Sequence, residues 1–532
     1  MSDPAATTAA RSHAEHGREE RGRLVGRAGV VGAGTLASRV LGLGRDVALA
    51  ALFDRDATDA WWIAFTIPNS LRSLLAEGAV TSAVVPVLSE KLARDGDAAA
   101  RQFFARVRGV SLAALLLVSV LGVLFARPLT DLFADGYKGR PGEFERTLEL
   151  TRVVFPYIFF MGTAALGMAA LNANRRFAVA AFAPALLNVA LLGAAVAAAV
   201  LRGPVQWLAW GALAGGALQV AAQWPALRGI GYAGLPSLKV DDDVRRVLGR
   251  IAPLMFGTGV YYIDLVVCRR LLSELGPGAQ SYFSWAMRLC DFPQGIFVMA
   301  LSTAALPSLS MLAAKGAKDE LAKTWAHGLC LAMFVAIPAS AALVAMPDAI
   351  VATLFQRGAF DAMSVHETAR ALVWQGGAIW TVAAVRQTVP AFYALGDTRT
   401  PVIVSAIDLT ALVALALLLR GPMGHPGISV AVAGSSAVQM VLLLVGLRRR
   451  LGTLRGWDLA RSASRTVLAS VVAAVAGWGA ATLAGGGPGM LAFASVFVLA
   501  AWGLGSPELG EISGAVRRKL GRRGGKPRRP RA

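Results

Sequence analysis

Charged side chains are scarce in this chain, since only 16% of its 532 residues are Asp, Glu, Lys or Arg. Soluble domains carry about 25%. Hydrophobic residues make up 55% of the chain, and the mean hydropathy is +0.55. Apolar runs recur to its end, for example at 111–126, 184–201, 402–419 and 490–503, and each is long enough for most of a bilayer crossing. The composition predicts an all-α polytopic membrane protein.

Signatures of enzymes and metal sites are also missing. The chain has no G-x-x-x-x-G-K-[ST] sequence and no nucleophile elbow, and its five histidines are scattered. Its three cysteines, Cys268, Cys290 and Cys330, have no metal-ligand spacing. We therefore expect no enzymatic activity, metal or disulfide, and transport driven by an ion gradient, the membrane potential or downhill flux.

The apolar segments predict about fourteen transmembrane helices, centred near residues 40, 72, 115, 160, 190, 216, 260, 295, 333, 380, 410, 437, 473 and 496. With a cytoplasmic N-terminus, roughly 36 Lys and Arg residues fall on the inner side and roughly 12 on the outer side. The formal charge of +20 then indicates topology and not nucleic-acid binding. We expect both termini to be cytoplasmic, with the basic C-terminal tail solvated or touching anionic lipid.

Short segments of similar sequence suggest that the chain consists of two similar halves. Val84-Val85-Pro86-Val87-Leu88-Ser89 resembles Ala305-Leu306-Pro307-Ser308-Leu309-Ser310, and segment 169–179 resembles 391–402. A parallel repeat of this kind usually encloses a central cavity. The predicted domains are a disordered cytoplasmic extension (1–27), an N-lobe of six helices (28–228), a C-lobe of six helices (229–450), two further helices (451–505) and a basic cytoplasmic tail (506–532).

Charged residues inside the predicted helices are the main functional signal, because ionised groups in a bilayer normally face a wet cavity or a partner. The first helix carries Arg39, Arg45 and Asp46. Arg39 and Arg45 lie about 120° apart on an ideal helix. They can face one cavity only if Gly42 and Gly44 allow a bend or an unwound turn, which we expect.

Further charges recur beside predicted helix breaks. In the second helix, Asp59 precedes a predicted break at Pro68-Asn69, and Arg72 and Glu77 follow it. In the eighth helix, Arg288 and Asp291 precede Pro293. Two isolated acids, Asp264 and Asp408, could form a site for a coupling ion, Na⁺ or H⁺, or could be hydrogen-bonded acids of the core.

Four arginines on three helices, Arg39, Arg45, Arg72 and Arg288, suit a ligand with several phosphate oxygens, because guanidinium binds phosphate through paired hydrogen bonds. A diphosphate is the natural partner. The alternative is that these arginines pair internally with Asp46, Asp59, Glu77 and Asp291 and only hold the helices together. Both interpretations are compatible if the arginines pair with these acids in the empty cavity and release them when the ligand binds.

These motifs, in their order and spacing, resemble the lipid II flippase family MurJ (MviN). The segments that carry the resemblance are Ser38-Arg39-Val40-Leu41-Gly42, Arg45-Asp46, Thr58-Asp59-Ala60, Ile67-Pro68-Asn69, Leu71-Arg72, Ala76-Glu77-Gly78-Ala79, Phe182-Ala183-Pro184, Phe292-Pro293 and Phe355-Gln356-Arg357-Gly358. The resemblance covers about residues 27–505. It implies a MOP-superfamily transporter with two six-helix lobes around a cavity, and two terminal helices that form a lipid-facing groove.

The resemblance also implies the substrate and its site. The substrate would be lipid II, moved from the cytoplasmic to the periplasmic leaflet of the inner membrane for peptidoglycan synthesis. Its diphosphate would meet the four arginines, with Asp46, Asp59, Asn69, Glu77 and Asp291 as neighbouring candidates. We expect a monomer in contact with membrane lipids, with the peptidoglycan synthesis machinery as a partner.

Three other functions stay open at this point. The chain could translocate another polyprenyl-diphosphate glycan, such as an O-antigen or capsule unit, although the first-helix motif argues against it. It could be a cation-coupled multidrug exporter, but an exporter of cations should have an acidic or apolar cavity. It could also be a membrane scaffold with purely structural ion pairs.

Overall fold

A computed structural model describes residues 32–72, 81–454 and 456–514, without the side chains of 81–82, 252–261, 296–297, 300, 303–304 and 457. The part so described is helical, with short turns and no strand. Glu77, the predicted extension 1–27 and most of the predicted basic tail lie outside the described residues.

The helices of the first half follow one another with short connections. They are α1 (32–52), α2 (Arg55–Arg72), α3 (Thr81–Arg94), α4 (Gly96–Leu124), α5 (Ala126–Ala134), a 3₁₀ turn (Asp135–Gly139), α6 (Glu143–Val154), α7 (Tyr157–Ala173), α8 (Phe177–Val200), α9 (Gln206–Gly229) and α10 (Asp242–Ser273).

The second half continues in the same manner. Its helices are α11 (Ala279–Pro293), a π turn (Gln294–Val298), α12 (Met299–Ala314), α13 (Lys318–Ala345), α14 (Pro347–Phe355), α15 (Ala362–Gly377), α16 (Ile379–Ala394), α17 (Arg399–Met423), α18 (His425–Leu451), α19 (Gly456–Ala484), α20 (Gly486–Gly503) and α21 (507–514).

Eight segments are long and apolar enough to cross a bilayer, among the residues searched. They are Gly96–Leu124, Glu143–Ala173, Phe177–Val200, Lys318–Ala345, Arg399–Met423, His425–Leu451, Asp458–Ala484 and Gly486–Gly503. The predicted total of fourteen stays a prediction. Four of the remaining predicted segments, centred near 40, 72, 260 and 295, hold the charged candidates, and those charges lower their hydropathy.

Three places allow a comparison with the helix breaks predicted from the sequence. Residues 32–52 are helical throughout, so no unwound turn occurs at Gly42 or Gly44, and the bend expected there stays a prediction. Pro68 lies inside α2, which continues to Arg72, so the break predicted at Pro68-Asn69 is wrong. The segment predicted near residue 160 is two helices, α6 and α7, because α7 begins directly after Pro156 and proline cannot donate the next helical hydrogen bond.

The chain forms two compact units, Met1–Tyr262 (the N-terminal unit) and Ile263–Ala532 (the C-terminal unit). In the first, Phe103, Phe104 and Leu171 belong to a buried cluster. In the second, Trp325 and Phe392 occupy a comparable cluster. The predicted domain limits at 228 and 450 stay a prediction.

The order of elements from α4 to α9 recurs from α13 to α18. In each case a long helix is followed by a nine-residue helix, a helix in two pieces and two long helices. The loop after the two-piece helix is also the same. Arg175 (φ 59°) and Gly396 (φ 73°) each occupy the left-handed position that closes the preceding helix. The sequence similarity between 169–179 and 391–402 is therefore accompanied by the same loop conformation.

Candidate functional site

The first helix lies against α8 at close range. A Cβ atom added at Gly34 would be 2.5 Å from the Ala181 carbonyl oxygen, so only glycine allows this approach. One turn further, Asn188 of α8 donates from Nδ2 to the Ser38 carbonyl oxygen at 2.9 Å. The small residues of α1 thus bring its backbone next to a polar side chain in an otherwise apolar helix.

Arg45 and Asp46 form the buried centre of this contact. Arg45 Nε donates to Asp46 Oδ1 at 2.9 Å, and Arg45 Nη1 donates to Asn188 Oδ1 at 3.0 Å. Arg45 is 8% exposed and Asp46 is 3% exposed. A hydrogen-bonded, paired charge of this kind can be buried, whereas an isolated one would be costly. Arg39, two turns earlier, is half-buried.

Asp59 and Arg72 of α2 each have a partner that the sequence did not suggest. Asp59 is fully buried, and its Oδ2 lies 3.9 Å from Nη1 of Arg140, which precedes α6. Near the other end of α2, Arg72 donates from Nε to Asn69 Oδ1 at 3.1 Å. The sequence offered Asp59 as an internal partner for the four candidate arginines, and in the structure it forms an ion pair with Arg140.

In the C-terminal unit, Arg288 lies on α11, just over one turn before that helix ends at Pro293. Its Nη1 is 3.8 Å from Asp291 Oδ2, and the two side chains are 36% and 49% exposed. Directly after Pro293, the backbone forms the π turn at Gln294–Val298. π turns are rare and frequently lie at functional sites. The predicted combination of an arginine and a proline-linked break is therefore present here.

Asp264 of α10 and Asp408 of α17 lie near each other in the C-terminal unit and interact electrostatically. Oδ1 of each is buried and has no hydrogen-bond partner. Ser435 of α18 is within hydrogen-bonding reach of Asp408. Oxygen ligands of this kind suit a small cation or a proton. Among the described residues, no group of three or more His, Cys, Asp or Glu side chains could hold a metal ion.

The structure thus assigns the predicted residues to separate clusters. Arg45 and Asp46 share one cluster, Asn69 and Arg72 a second, Arg288 and Asp291 a third, and Asp264 and Asp408 a fourth. The internal pairing considered from the sequence occurs for Arg45 with Asp46 and for Arg288 with Asp291. Glu77 lies outside the described residues.

Sequence reasoning missed several buried polar residues. Asn188 could have been noticed as a lone amide in the apolar run of α8, but nothing in the sequence connects it with Arg45. Arg140 and Glu143 belonged to no motif of the sequence analysis. Arg269 of α10 is 5% exposed and donates to Gln280 Oε1 at 2.9 Å. That arginine likewise belonged to no recognised motif.

Chemically, buried guanidinium groups next to polar amides provide fixed positive charge and several donors. Such a surface can receive an anion with many oxygens. When no ligand is bound, the Asp46 carboxylate would balance the positive charge of Arg45.

Comparisons with known proteins agree on the family. The model of the family described as lipid II flippase MurJ matches residues 49–497. The lipid II flippase MurJ of Burkholderia cenocepacia is 36% identical over 424 residues, 78% of this chain and 82% of that protein. A protein of Bdellovibrio bacteriovorus named "Probable lipid II flippase MurJ" is 32% identical over 472 residues, 86% of this chain and 88% of that protein.

Solved structures share the fold. A lipid II flippase MurJ in an inward closed conformation has a TM-score of 0.73 at 21% identity, covering 89% of this chain and 99% of that one. An inward-facing multidrug resistance MATE transporter of the MOP superfamily has a TM-score of 0.67 at 12% identity, covering 79% and 96%. The predicted all-α MOP-type fold is therefore confirmed.

Proposed function

Because this chain belongs to the lipid II flippase MurJ family, we propose that it translocates lipid II from the cytoplasmic to the periplasmic leaflet of the inner membrane. The observation that carries the proposal is the family match over residues 49–497, within which all but three of the candidate residues fall. The three outside it, Arg39, Arg45 and Asp46, belong to the same helix as its first matched residues. The chain is a multi-pass membrane protein that acts as a transporter.

The arginines supply the chemistry that this substrate requires. Lipid II carries a diphosphate and a sugar-peptide headgroup, which are costly to move through hydrocarbon. Arg39, Arg45, Arg72 and Arg288 would bind the diphosphate oxygens, with Asn69 and the neighbouring acids Asp46, Asp59, Glu77 and Asp291 setting the local charge. The lipid tail would stay in the bilayer while the two lobes alternate between inward-open and outward-open states.

Arg45 is prepared for this role by its partners. Asp46 and Asn188 hold the guanidinium in place, so little side-chain entropy is lost when an anion arrives. The half-exposed ion pair of Arg288 with Asp291 is weak, because exposed pairs contribute about 0–1 kcal/mol. A diphosphate can therefore replace Asp291 at Arg288 with little loss.

A coupling ion, Na⁺ or H⁺, fits the pair Asp264 and Asp408. The unpartnered Oδ1 atoms of both acids would accept it, and Ser435 would add a hydroxyl oxygen. The bound ion would offset one of the two nearby negative charges in the C-terminal unit. The charge of this site would thereby depend on the concentration of the ion.

The topology completes the proposal. We place both termini in the cytoplasm, following the positive-inside asymmetry, and take the protein to act as a monomer. Its product appears at the outer leaflet, where the peptidoglycan synthesis machinery would consume it.

The test is surface exposure of lipid II in bacteria depleted of their own flippase. Cells carry the wild-type chain, Arg72→Gln, or the control Arg127→Gln, whose side chain is 60% exposed and outside the predicted site. An externally added toxin that cleaves lipid II reports exposure, and immunoblots report membrane abundance.

We expect cleavage and growth with the wild type and with Arg127→Gln, and neither with an abundant Arg72→Gln. If the expressed wild type restores nothing, the lipid II assignment is wrong, and a flippase for another polyprenyl-diphosphate glycan takes its place.

A further inference from the structure

Glu143, the first residue of α6, is a buried carboxyl group outside the predicted site. Gly142 (φ 74°) turns the chain into the helix, and this turn directs the first side chain inward. The residue is only 5% exposed, and its Oε1 has no hydrogen-bond partner. An ionised carboxylate oxygen without a partner is costly to bury. Glu143 is therefore not explained by packing alone.

A second buried acid lies beside it. Helix α2 packs against α6, and Asp59 of α2 is fully buried. Glu143 interacts electrostatically with Asp59 and, more weakly, with Asp56 of the same helix. Two carboxylates that share a site resist ionising together. The N-terminal unit thus holds a coupled acid pair between α2 and α6.

Two arginines lie near this pair. Arg140 Nη1 is 3.9 Å from Asp59 Oδ2, and Arg146 Nη1 is 3.7 Å from Glu143 Oε2. Both distances exceed that of a hydrogen bond. Arg140 also lies over the Tyr137 ring, 4.9 Å from its centre, and Arg146 is 41% exposed. Neither arginine donates to the free Oε1 atom of Glu143.

The other charged groups around α6 have partners among themselves. Lys138 of the 3₁₀ turn binds Asp131 of α5 and Asp135, each at 2.8 Å. Arg127 of α5 lies 3.9 Å from Glu145, on the exposed side of α6. From α9, Gln206 donates to Glu149 at 3.0 Å.

The remaining elements packed against α6 add no charge near its first turn. The charged residues of α4 lie in its N-terminal half, at Asp97, Arg101, Arg106 and Arg108, and α7 has none. The charges near Glu143 therefore include Asp56, Asp59, Arg140 and Arg146, and Arg55 lies one turn before Asp59 on α2.

We propose that Glu143 and Asp59 form a proton-binding carboxyl pair, in which Glu143 takes up one proton. A proton from water binds a Glu143 carboxylate oxygen and forms an O–H bond, and the reverse step returns it to water. Protonation removes one of two adjacent buried negative charges and leaves Asp59 ionised beside Arg140.

The location of the pair gives it a consequence for transport, which rests on the proposed function and topology. The turn between α5 and α6 then lies on the periplasmic side, so the pair exchanges protons with that compartment. Protonation would change the electrostatic attraction between α2, which carries Asn69 and Arg72, and α6. External pH would thus act on the substrate site through α2.

The site itself is tested by infrared spectroscopy on the purified full-length protein in lipid nanodiscs, titrated with acid. The signal is the C=O stretching band of a protonated carboxyl group. The variants are Glu143→Gln, Asp59→Asn and the control Glu145→Gln, whose side chain on the same helix is 66% exposed. No lipid II is present, so the result does not depend on the proposed function.

In the wild type we expect a band that follows the protonation of Glu143 and titrates apart from the exposed carboxyl groups. Glu143→Gln should remove this band, Asp59→Asn should shift its midpoint by at least one pH unit, and Glu145→Gln should leave it unchanged. A band that persists in Glu143→Gln overturns the proposal.

A folding control keeps the test decisive. If Glu143→Gln does not purify as a monodisperse protein, Glu143→Asp replaces it, and a midpoint identical to the wild type overturns the proposal. Lipid II exposure in cells at external pH 5.5 and 7.5 is then compared between wild type and Glu143→Gln. A pH response that is lost in the variant supports the link to transport, and an identical response in both overturns that link only.

Discussion

Arg45 of α1 donates a hydrogen bond of 3.0 Å to Asn188 of α8, 143 residues further along the chain. Asn188 uses its other end to donate to the Ser38 carbonyl oxygen of α1 at 2.9 Å. One amide therefore ties a candidate phosphate-binding arginine to the backbone of its own helix. The position of this guanidinium depends on α8 as much as on α1.

Replacing Asn188 with Leu should destabilise the protein and reduce flipping. It leaves Arg45 Nη1 without its acceptor in a buried position, which costs about 1–3 kcal/mol. We expect a lower melting temperature of the purified protein and less lipid II exposed in cells. Val189→Leu is the matched control, because Val189 is 48% exposed on the same helix. Equal melting temperatures for both variants would contradict the role of Asn188.

Arg45 and Asp46 should stabilise the fold as a pair, whereas transport should require Arg45 itself. Arg45→Ala removes the guanidinium that Asp46 accepts from, and breaking a buried pair costs about 3–5 kcal/mol. We expect low membrane abundance for Arg45→Ala and recovered abundance for Arg45→Ala with Asp46→Asn. Lipid II exposure should stay absent in the double variant. Restored exposure there would show that Arg45 does not bind substrate.

Arg288→Gln should weaken lipid II binding without a large loss of stability. The pair with Asp291 is half-exposed and worth at most about 1 kcal/mol, whereas a charge-assisted bond to phosphate is worth about 1.5–3 kcal/mol. The dissociation constant, measured with the purified protein, should rise roughly tenfold to a hundredfold. Asp291→Asn is the control and should change it less than threefold. Equal effects of both variants would argue against Arg288 as a ligand.

If Asp264 and Asp408 bind Na⁺, the melting temperature of the wild type should rise when choline chloride is replaced by NaCl at equal ionic strength, because ligands of the folded state stabilise it. Asp264→Asn and Asp408→Asn should each abolish the rise. Asp458→Asn, at the start of α19, is the control. A wild type that does not respond to Na⁺ but responds to pH would favour the proton.

The ionised carboxylate of Asp397 should stabilise the C-terminal unit at neutral pH and lose this effect in acid. The backbone N–H of Thr400, then its hydroxyl, and then Arg450 lower the pKa of Asp397 below its usual value. A lowered pKa in the folded state means that this stabilisation is present above the ordinary pKa near about 3.9 and is lost as the pH falls through the folded value.

Asp397→Asn should therefore lower the melting temperature at pH 7, because Asn keeps the hydrogen bonds of the turn but loses the ion pair with Arg450 and the negative charge at the start of α17, which contribute about 1 kcal/mol or less. The difference from the wild type should shrink towards pH 3. Asp319→Asn, at the start of α13, is the control. A difference that stays constant between pH 7 and pH 3 would contradict the assignment to the ionised carboxylate.

Several features could be predicted from the sequence because they depend on neighbouring residues. Apolar runs interrupted by Gly, Pro and charges gave the helical segments, and Pro293 marked the π turn after Arg288. The break expected at Pro68 was wrong, because one missing hydrogen bond is not enough to interrupt α2. At Gly42 and Gly44 the helix is not unwound, and the expected bend stays a prediction. Local propensity is a weak guide when tertiary contacts support a helix.

The amino-acid sequence by itself determined the membrane class, the helical segments and the family, because hydropathy and motif spacing are properties of the chain alone. Only the tertiary structure decided which charges meet: Arg45 with Asn188, Asp59 with Arg140 and Glu143, and Asp264 with Asp408. Each of these pairs joins residues that are far apart in the sequence and lie on different elements of the fold. Their contacts depend on how close the helix backbones approach, as at Gly34 and Ala181, and no local pattern encodes that distance.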